Sequence, residues 1–305
     1  MQRPVVIVNP RSGGGLSHRR WASFVGPLTD GLGPFDARFT ESKGDGRRIA
    51  HEETAAGRGL IVAMGGDGTI SEVADGILAA GGTSDLGIIP RGTGGDFRRS
   101  LALHDDLGQA ARHVRDTRAR PIDAGRVSFV ADDGSRAERH FINVVSLGFS
   151  SDVARRANAS SKWLGGRAAF LSATVRSLVG YDNVDVVLSI DGQPERRMNL
   201  LLAAVGNGRF FGGGMKICPE ALLDDGLFDL VTVGNLGRAG VMFNIHRIYS
   251  GNHLTMKEVQ GSRVRRMTVA PADREAKIPI EVDGETPGHL PASFELLPAA
   301  LRVRA

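Results

Sequence analysis

Three short stretches of this sequence carry the residue types that bind phosphate. Gly65-Gly66-Asp67-Gly68-Thr69 follows the apolar run Leu60–Met64, and Ile70, Val73, Ala74, Ile77 and Leu78 then recur at helical spacing. A buried strand stops, glycines turn the chain, and a helix starts. Glycines let backbone N–H groups approach phosphate oxygens closely, and the helix N-terminus adds a positive dipole. Asp67 by itself repels phosphate, so it is expected to act through Mg²⁺ or a water. Asn9-Pro10-Arg11-Ser12-Gly13-Gly14-Gly15 repeats the arrangement after Val5–Val8. Pro90-Arg91-Gly92-Thr93-Gly94-Gly95-Asp96-Phe97 repeats it after Gly87-Ile88-Ile89. Any one of these reads equally well as an ordinary strand-to-helix turn. In a parallel sheet, however, ligands bind beyond the carboxyl ends of the strands, and three such loops at one edge converge on one place. The lysine-bearing motif G-x-x-x-x-G-K-[ST] and the protein-kinase loop H-R-D are absent, so this is a different phosphate-binding solution.

Two acidic turns add further chemistry. Asp224-Asp225-Gly226 separates Ala221-Leu222-Leu223 from Leu227-Phe228, and Asp283-Gly284-Glu285 follows Ile278–Val282. Asp-Gly is a common turn pair, which is the plain reading of both. Functionally, the first offers a carboxylate and neighbouring carbonyls to a hard cation. The second offers a carboxylate placed to take a proton from an attacking hydroxyl. Asp123 follows Pro121-Ile122 at the end of the alternating part of the chain.

The elements that must position these groups fall into two classes. Strands are predicted at Val5–Val8, Ala37–Thr40, Leu60–Met64 and Gly87–Pro90, with helices over about 17–28 and 47–56 and after the Gly65 turn. Continuous apolar strands alternating with helices indicate a parallel sheet covered on both faces. From Gly125 onward the chain is β-rich, with strand segments at Arg126–Val130, Arg139–Val145, Val184–Ile190, Met198–Val205 and Leu227–Val233. Hairpin-like breaks stand at Asp133-Gly134 and Asp191-Gly192. The expected organisation is an α/β domain over residues 1–124, completed by 295–305 through a strand near Leu301–Val303, and a β-rich domain over 125–294. Residues 162–181 read as an amphipathic helix with Lys162, Arg167 and Arg176 beside Trp163, Phe170 and Leu171, packed in a core or lying on lipid.

Composition narrows the function classes. Formal charge is only +4 and aromatics are 6%, which argues against a nucleic-acid module built on stacking platforms. A single cysteine, Cys218, excludes an intrachain disulfide and a thiolate metal site. The lone cysteine suits a reducing cytosol, and no apolar stretch approaches the ~18 residues of a spanning helix, so if the chain meets lipid it is expected to do so peripherally, from the cytoplasmic side of the membrane.

Taken together, Asn9-Pro10-x-Ser12-Gly13, Gly65 to Thr69, Gly92-Thr93 with Asp96-Phe97, Pro219-x-Ala221 with Asp225-Gly226, and Asp283-Gly284-Glu285 resemble the diacylglycerol kinase catalytic family. The closer resemblance is to its soluble bacterial lipid kinases, relatives of sphingosine and ceramide kinases. The ordered motifs cover nearly the whole chain. The resemblance implies a Rossmann-like nucleotide-binding α/β domain followed by a β-sandwich, with ATP and Mg²⁺ as cofactors and a lipid at a membrane surface as acceptor. It implies ATP contacts at Asn9, Ser12, Gly13 and Thr40, at Gly65, Gly66, Asp67, Gly68, Thr69, Ile70 and Ser71, and at Gly92, Thr93 and Asp96. Asp67, Asp96 and Asp123 match the acidic network around Mg²⁺ and the phosphates. Asp225, with the carbonyls of Leu222 and Leu227, matches a structural Mg²⁺ site. Glu285 stands at the proton acceptor's position, with Asp283 beside it. The family usually carries Asn where this chain has Gly95, a departure that removes an amide contact.

The expected activity is transfer of the ATP γ-phosphoryl group to a lipid hydroxyl of diacylglycerol, ceramide or a sphingoid base. Two alternatives stay open beside it: an NAD kinase-like enzyme, which shares the Gly-Gly-Asp-Gly turn, and a catalytically inactive nucleotide sensor. A homodimer is also compatible with the sequence.

Overall fold

The computed structural model of the protein describes residues 2–13, 15, 20–92, 94–103, 106–159 and 181–305. The chain divides into two compact units, Met1–Asp123 with Pro298–Ala305, and Ala124–Leu297. It leaves the first unit after Asp123 and returns to it after Leu297.

The first unit is a parallel sheet of β1 (Val5–Val8), β2 (Asp36–Phe39), β3 (Leu60–Gly65) and β4 (Asp85–Pro90), joined by the returning residues Arg302–Arg304. Its order is β2-β1-β3-β4-tail, with every pairing parallel. The connecting helices are α1 (Trp21–Leu32), α2 (Asp45–Ala55), α3 (Asp67–Ala79), α4 (Asp96–Leu101) and α5 (Leu107–Asp116). Period-2 alternation explains the layering. Val6, Val8, Val62 and Met64 pack with Phe24, Leu28, Leu107, Ala111 and Val114 of α1 and α5. Val5, Ile7, Ile61 and Ala63, which point the other way, are equally buried. Each such aliphatic side chain contributes about 1.5–3 kcal/mol on burial.

Helix α1 starts at Trp21 and runs to Leu32, later at both ends than the apolar spacing predicts, and it carries Pro27 in its interior. Residues 16–19 lie outside the described residues, as does the predicted helix over 162–181, except for Tyr181.

The second unit is antiparallel. Its strands are β5 (Arg120–Ala131), which begins in the first unit, β6 (Arg136–Phe141), β7 (Val144–Gly148), β8 (Val184–Ile190), β9 (Arg196–Leu200), β10 (Leu202–Gly206), β11 (Phe228–Val233), β12 (Val259–Val264), β13 (Arg266–Pro271), β14 (Pro279–Val282) and β15 (Glu285–Arg304), whose last residues are the tail of the first unit. They run in the order β12-β11-β10-β7-β14-β15, while β5 and β13 also pair with β15, and β8 links β13 to β9. Among its described residues are two α-helices, α6 (Phe149–Ala159) and α7 (Arg238–Ser250).

The β7-β10-β11 layer is apolar on both faces. Val145, Leu147, Ala203, Val205, Phe228 and Leu230 enter the sandwich core. Val144, Leu202, Ala204, Val231 and Val233 enter a second core with Phe149 and Val153 of α6.

Two predicted strands are each split in the fold. The run Met198–Val205 breaks at Leu201, where β9 pairs with β8 and β10 pairs with β7 and β11. The run Arg139–Val145 breaks at Ile142-Asn143, where β6 ends on β5 and β7 begins on β10 and β14. In both cases the chain changes partners without changing its apolar character, so composition carries no sign of the break.

Candidate active site

In the first unit the sheet order reverses at β1: β2 lies on one side of it and β3 on the other. The carboxyl ends of β1 and β3 therefore flank the topological switch point, where open α/β sheets bind ligands. Asn9 follows β1, Thr40 follows β2, Gly66-Asp67 follow β3, and Arg91-Gly92 follow β4.

Side chains and close backbone approaches tie these loops together. Asn9 Nδ2 donates to Thr69 Oγ1 at 2.9 Å, while its Oδ1 accepts the Arg11 amide at 2.9 Å. Ser12 Oγ donates to the Asn9 carbonyl at 2.8 Å. The Thr40 amide donates to Val8 at 3.0 Å, and the Arg91 amide to Gly65 at 2.7 Å. Gly66 and Gly92 touch backbone to backbone, since a Cβ on Gly92 would stand 2.5 Å from Gly66 Cα.

The amides of Thr69 and Ile70 are already bonded to the Gly66 carbonyl, and the Ile70 side chain is buried in the core. The amides that remain for an anion are those of the first turn of α3, at Asp67 and Gly68. Ser71 lies one residue further along α3, and Gly13 lies beside Ser12 in the first loop. Thr93 lies outside the described residues.

The acidic residues of this unit hold backbone. Asp67 accepts the amides of Asp96 at 3.1 Å and Phe97 at 3.2 Å. Asp96 is buried and paired with Arg99 at 2.8 Å. Asp123, also buried, accepts the Ala299 amide at 2.7 Å, in the returning tail. Among the described residues no three acidic, histidine or cysteine side chains are grouped to hold a metal. Gly95 begins α4 at φ 67°, a left-handed conformation that Asn also tolerates, so the exchange of Asn for Gly leaves the local backbone path intact.

Arg91 is a residue that motif spacing did not single out. Its guanidinium lies 4.5 Å over the Phe24 ring, and its Nε is buried without a hydrogen bond. Burial holds its pKa below the ordinary arginine value, and Asp106 opposes that shift.

In the second unit, Asp283 and Gly284 form the two-residue turn between β14 and β15, with φ of 48° and 90°. Positive φ at both central positions is the pattern of a type I′ hairpin turn, which favours Asp-Gly. Asp283 is buried, and it accepts the amides of Ile142, Asn143 and Val144 at 3.1, 3.1 and 3.0 Å. It thereby anchors the break between β6 and β7.

Glu281, another residue not marked by the motifs, is buried and accepts from Ser146 Oγ and from the Gly284 amide. Asn207 donates to the Ile142 carbonyl at 2.9 Å, and Asn143 Nδ2 donates to Phe210 at 2.8 Å. Of the carboxylates at 281, 283 and 285, only Glu285 is half-exposed.

At the Asp225 turn, Oδ1 accepts the Leu227 amide at 3.2 Å. Oδ2 is buried without a hydrogen bond, 3.6 Å from Arg263. Burial raises the pKa of nearby Asp229; Arg263 opposes the shift, while the charges of Asp225 and Glu220 add to it. An apolar cavity of about 70 Å³ opens beside β10, lined by Phe149, Leu202, Phe211, Met215, Ile245 and Ile248 among others.

Comparison with known proteins places these features in a family. Residues 3–127 match the diacylglycerol kinase catalytic domain, and residues 143–305 match the YegS C-terminal NAD kinase beta sandwich-like domain. A diacylglycerol kinase of Mycobacterium tuberculosis H37Rv is 33% identical over 260 residues, covering 85% of this chain and 81% of the relative. A Pseudomonas aeruginosa PAO1 protein named as a YegS-like lipid kinase is 32% identical over 272 residues, covering 87% and 83%.

The crystal structure of a candidate diacylglycerol kinase from Bacillus anthracis superposes with a TM-score of 0.77 at 26% identity, over 99% of this chain and 96% of that one. Yeast NADH kinase, at 10% identity and a TM-score of 0.50, shares the fold alone. With a Rossmann-like unit, a β-sandwich unit and matches over both, the chain belongs to the family of diacylglycerol kinases and YegS-like lipid kinases, which are lipid phosphotransferases.

Proposed function

We propose that the protein transfers the γ-phosphoryl group of ATP to the hydroxyl of a membrane lipid, diacylglycerol being the first acceptor to test. The observation that carries the lipid over NAD is the apolar cavity of the second unit, whose lining is mostly aliphatic and aromatic and includes no lysine or arginine to pair with a nicotinamide dinucleotide's phosphates. The ATP half of the reading rests on the joined loops at the switch point. Their free first-turn amides suit phosphate oxygens.

Each residue has a part in this reading. Asn9, Thr69 and the Gly66–Gly92 contact hold the loops at fixed spacing, so the amides of Asp67 and Gly68 need no rearrangement to receive phosphate. Asp67 positions the third loop through the amides of Asp96 and Phe97. Glu285, the half-exposed carboxylate of its turn, accepts the proton of the attacking hydroxyl. Asp283, with both oxygens committed to amides, fixes the turn that carries Glu285.

The Asp225 turn offers a hard cation one carboxylate oxygen that is buried without a hydrogen bond. Asp225 and the carbonyls of Leu222 and Leu227 would hold Mg²⁺ there as a structural ion. Mg²⁺ carried with ATP supplies charge neutralisation to the phosphates.

The test is a labelled-ATP assay with Mg²⁺ and diacylglycerol, ceramide, sphingosine or NAD as acceptor, lipids in mixed micelles. Labelled lipid phosphate is expected. Label in NADP alone would reject the lipid reading, and ATP binding without turnover on any acceptor would favour a nucleotide sensor.

A further inference from the structure

Helix α7 has no buried residue along its 13 positions. Its inner stripe, Val241, Ile245 and Ile248, walls the apolar cavity. Its outer stripe should then be polar, as on any surface helix. Instead, Phe243 is 78% exposed and Met242 50% exposed, the two highest values among the exposed large apolar side chains of the described residues. Tyr249, seven positions after Met242 and therefore on the same flank, is exposed as well. Three of the six exposed large hydrophobic side chains among the described residues thus lie on one short helix, which makes a patch rather than a scatter.

The charge on this helix has one sign. Residues 238–250 include Arg238, His246 and Arg247 and no Asp or Glu. Exposed aromatic and thioether side chains flanked by arginines, on a helix without acidic residues, match the boundary between anionic headgroups and acyl chains. We infer that α7 is the face by which this protein docks on an anionic lipid bilayer, with Phe243 and Met242 entering the headgroup layer and Arg238 and Arg247 beside the lipid phosphates. The inference deepens the lipid-acceptor reading and rests on it in one respect. The helix that touches the bilayer on one side walls the apolar cavity on the other, so a lipid leaving the bilayer meets the cavity at this helix.

The test uses the full chain without ATP, sedimented with vesicles of phosphatidylcholine alone or mixed with phosphatidylglycerol. Binding is expected to the mixed vesicles, weakened by salt, with little binding to phosphatidylcholine alone. Replacing both exposed apolar residues, Met242→Ser with Phe243→Ser, should reduce vesicle affinity by about tenfold or more. The same variant should keep its melting temperature, and its turnover of a short-chain diacylglycerol dispersed as monomers should be unchanged.

No vesicle binding by the natural chain, or equal binding by the variant, overturns the docking surface. Light scattering guards against a self-interface: a dimer that the variant converts to monomer, with vesicle binding unchanged, also overturns it. Vesicle binding without kinase activity on any lipid would reject the proposed function and leave the surface standing. Activity without vesicle binding would do the reverse.

Discussion

Asp67 Oδ1 accepts the backbone N–H of Phe97 at 3.2 Å, across 30 residues of sequence. Its other oxygen accepts the amide of Asp96 at 3.1 Å. The acidic residue of the second loop is therefore the clasp of the third. Asp67→Asn keeps the size but offers one acceptor, and its NH₂ faces an N–H donor. The expected cost is about 1–3 kcal/mol, felt first as loosening of the third loop. Hydrogen exchange at Asp96 and Phe97 should quicken, and the KM for ATP should rise. Unchanged exchange at both amides would refute the clasp.

Two glycine substitutions separate spacing from phosphate contact. Gly92→Ala would place a Cβ 2.5 Å from Gly66 Cα, so the loops must move apart. A Cβ on Gly68 meets nothing within 4 Å. Gly92→Ala should therefore lower stability and weaken ATP binding about tenfold or more, a loss of about 1.4 kcal/mol in binding. Gly68→Ala should leave the melting temperature unchanged, and any loss of ATP affinity in it reports a methyl group in the phosphate's path. Calorimetric titration with a non-hydrolysable ATP analogue reads both.

Asp283 and Glu285, two positions apart, should fail in different ways. Asp283→Ala strands three buried amides and should cost about 3 kcal/mol or more in unfolding free energy. Glu285→Gln should leave unfolding unchanged while lowering kcat by about 10²–10⁴-fold. A stable Asp283→Ala variant would remove the anchoring role, and a fully active Glu285→Gln variant would remove the proton acceptor.

His253 gives the stability a pH dependence. It is buried, its Nε2 lies 2.9 Å from the Ile217 carbonyl, and burial lowers its pKa below the ordinary 6.5. The fold therefore holds the neutral imidazole, whereas the unfolded chain takes up a proton near pH 6.5. The contribution is complete above that pH and is lost as pH falls toward the depressed folded value. Urea unfolding between about pH 7 and pH 5 should show the loss, with a smaller slope in His253→Gln. Equal slopes in the two proteins would assign the effect to other groups.

Some of this protein is written in local residue order. The runs Val5–Val8 and Leu60–Gly65 are apolar throughout because helices cover both faces of their sheet, and that continuity is visible in the sequence. Asp283-Gly284 announces a tight turn because both positions take positive φ. The order and spacing of the glycine and acidic motifs were enough to bring the family into view.

Other features depend on which strands meet. The breaks at Ile142-Asn143 and Leu201 lie inside continuous apolar runs, and only the change of partner strand creates them. Helix α7 escapes the pattern because apolar residues stand on both its faces and blur the 3.6-residue period. The partners of Asp67 and Asp283 lie 30 and about 140 residues away, so sequence marks these carboxylates without showing that each is bonded to backbone amides. Local order sets the period of burial and the turn conformations, because these act between near neighbours. Which amide a carboxylate meets is decided when distant strands pair, and only the tertiary structure contains that information.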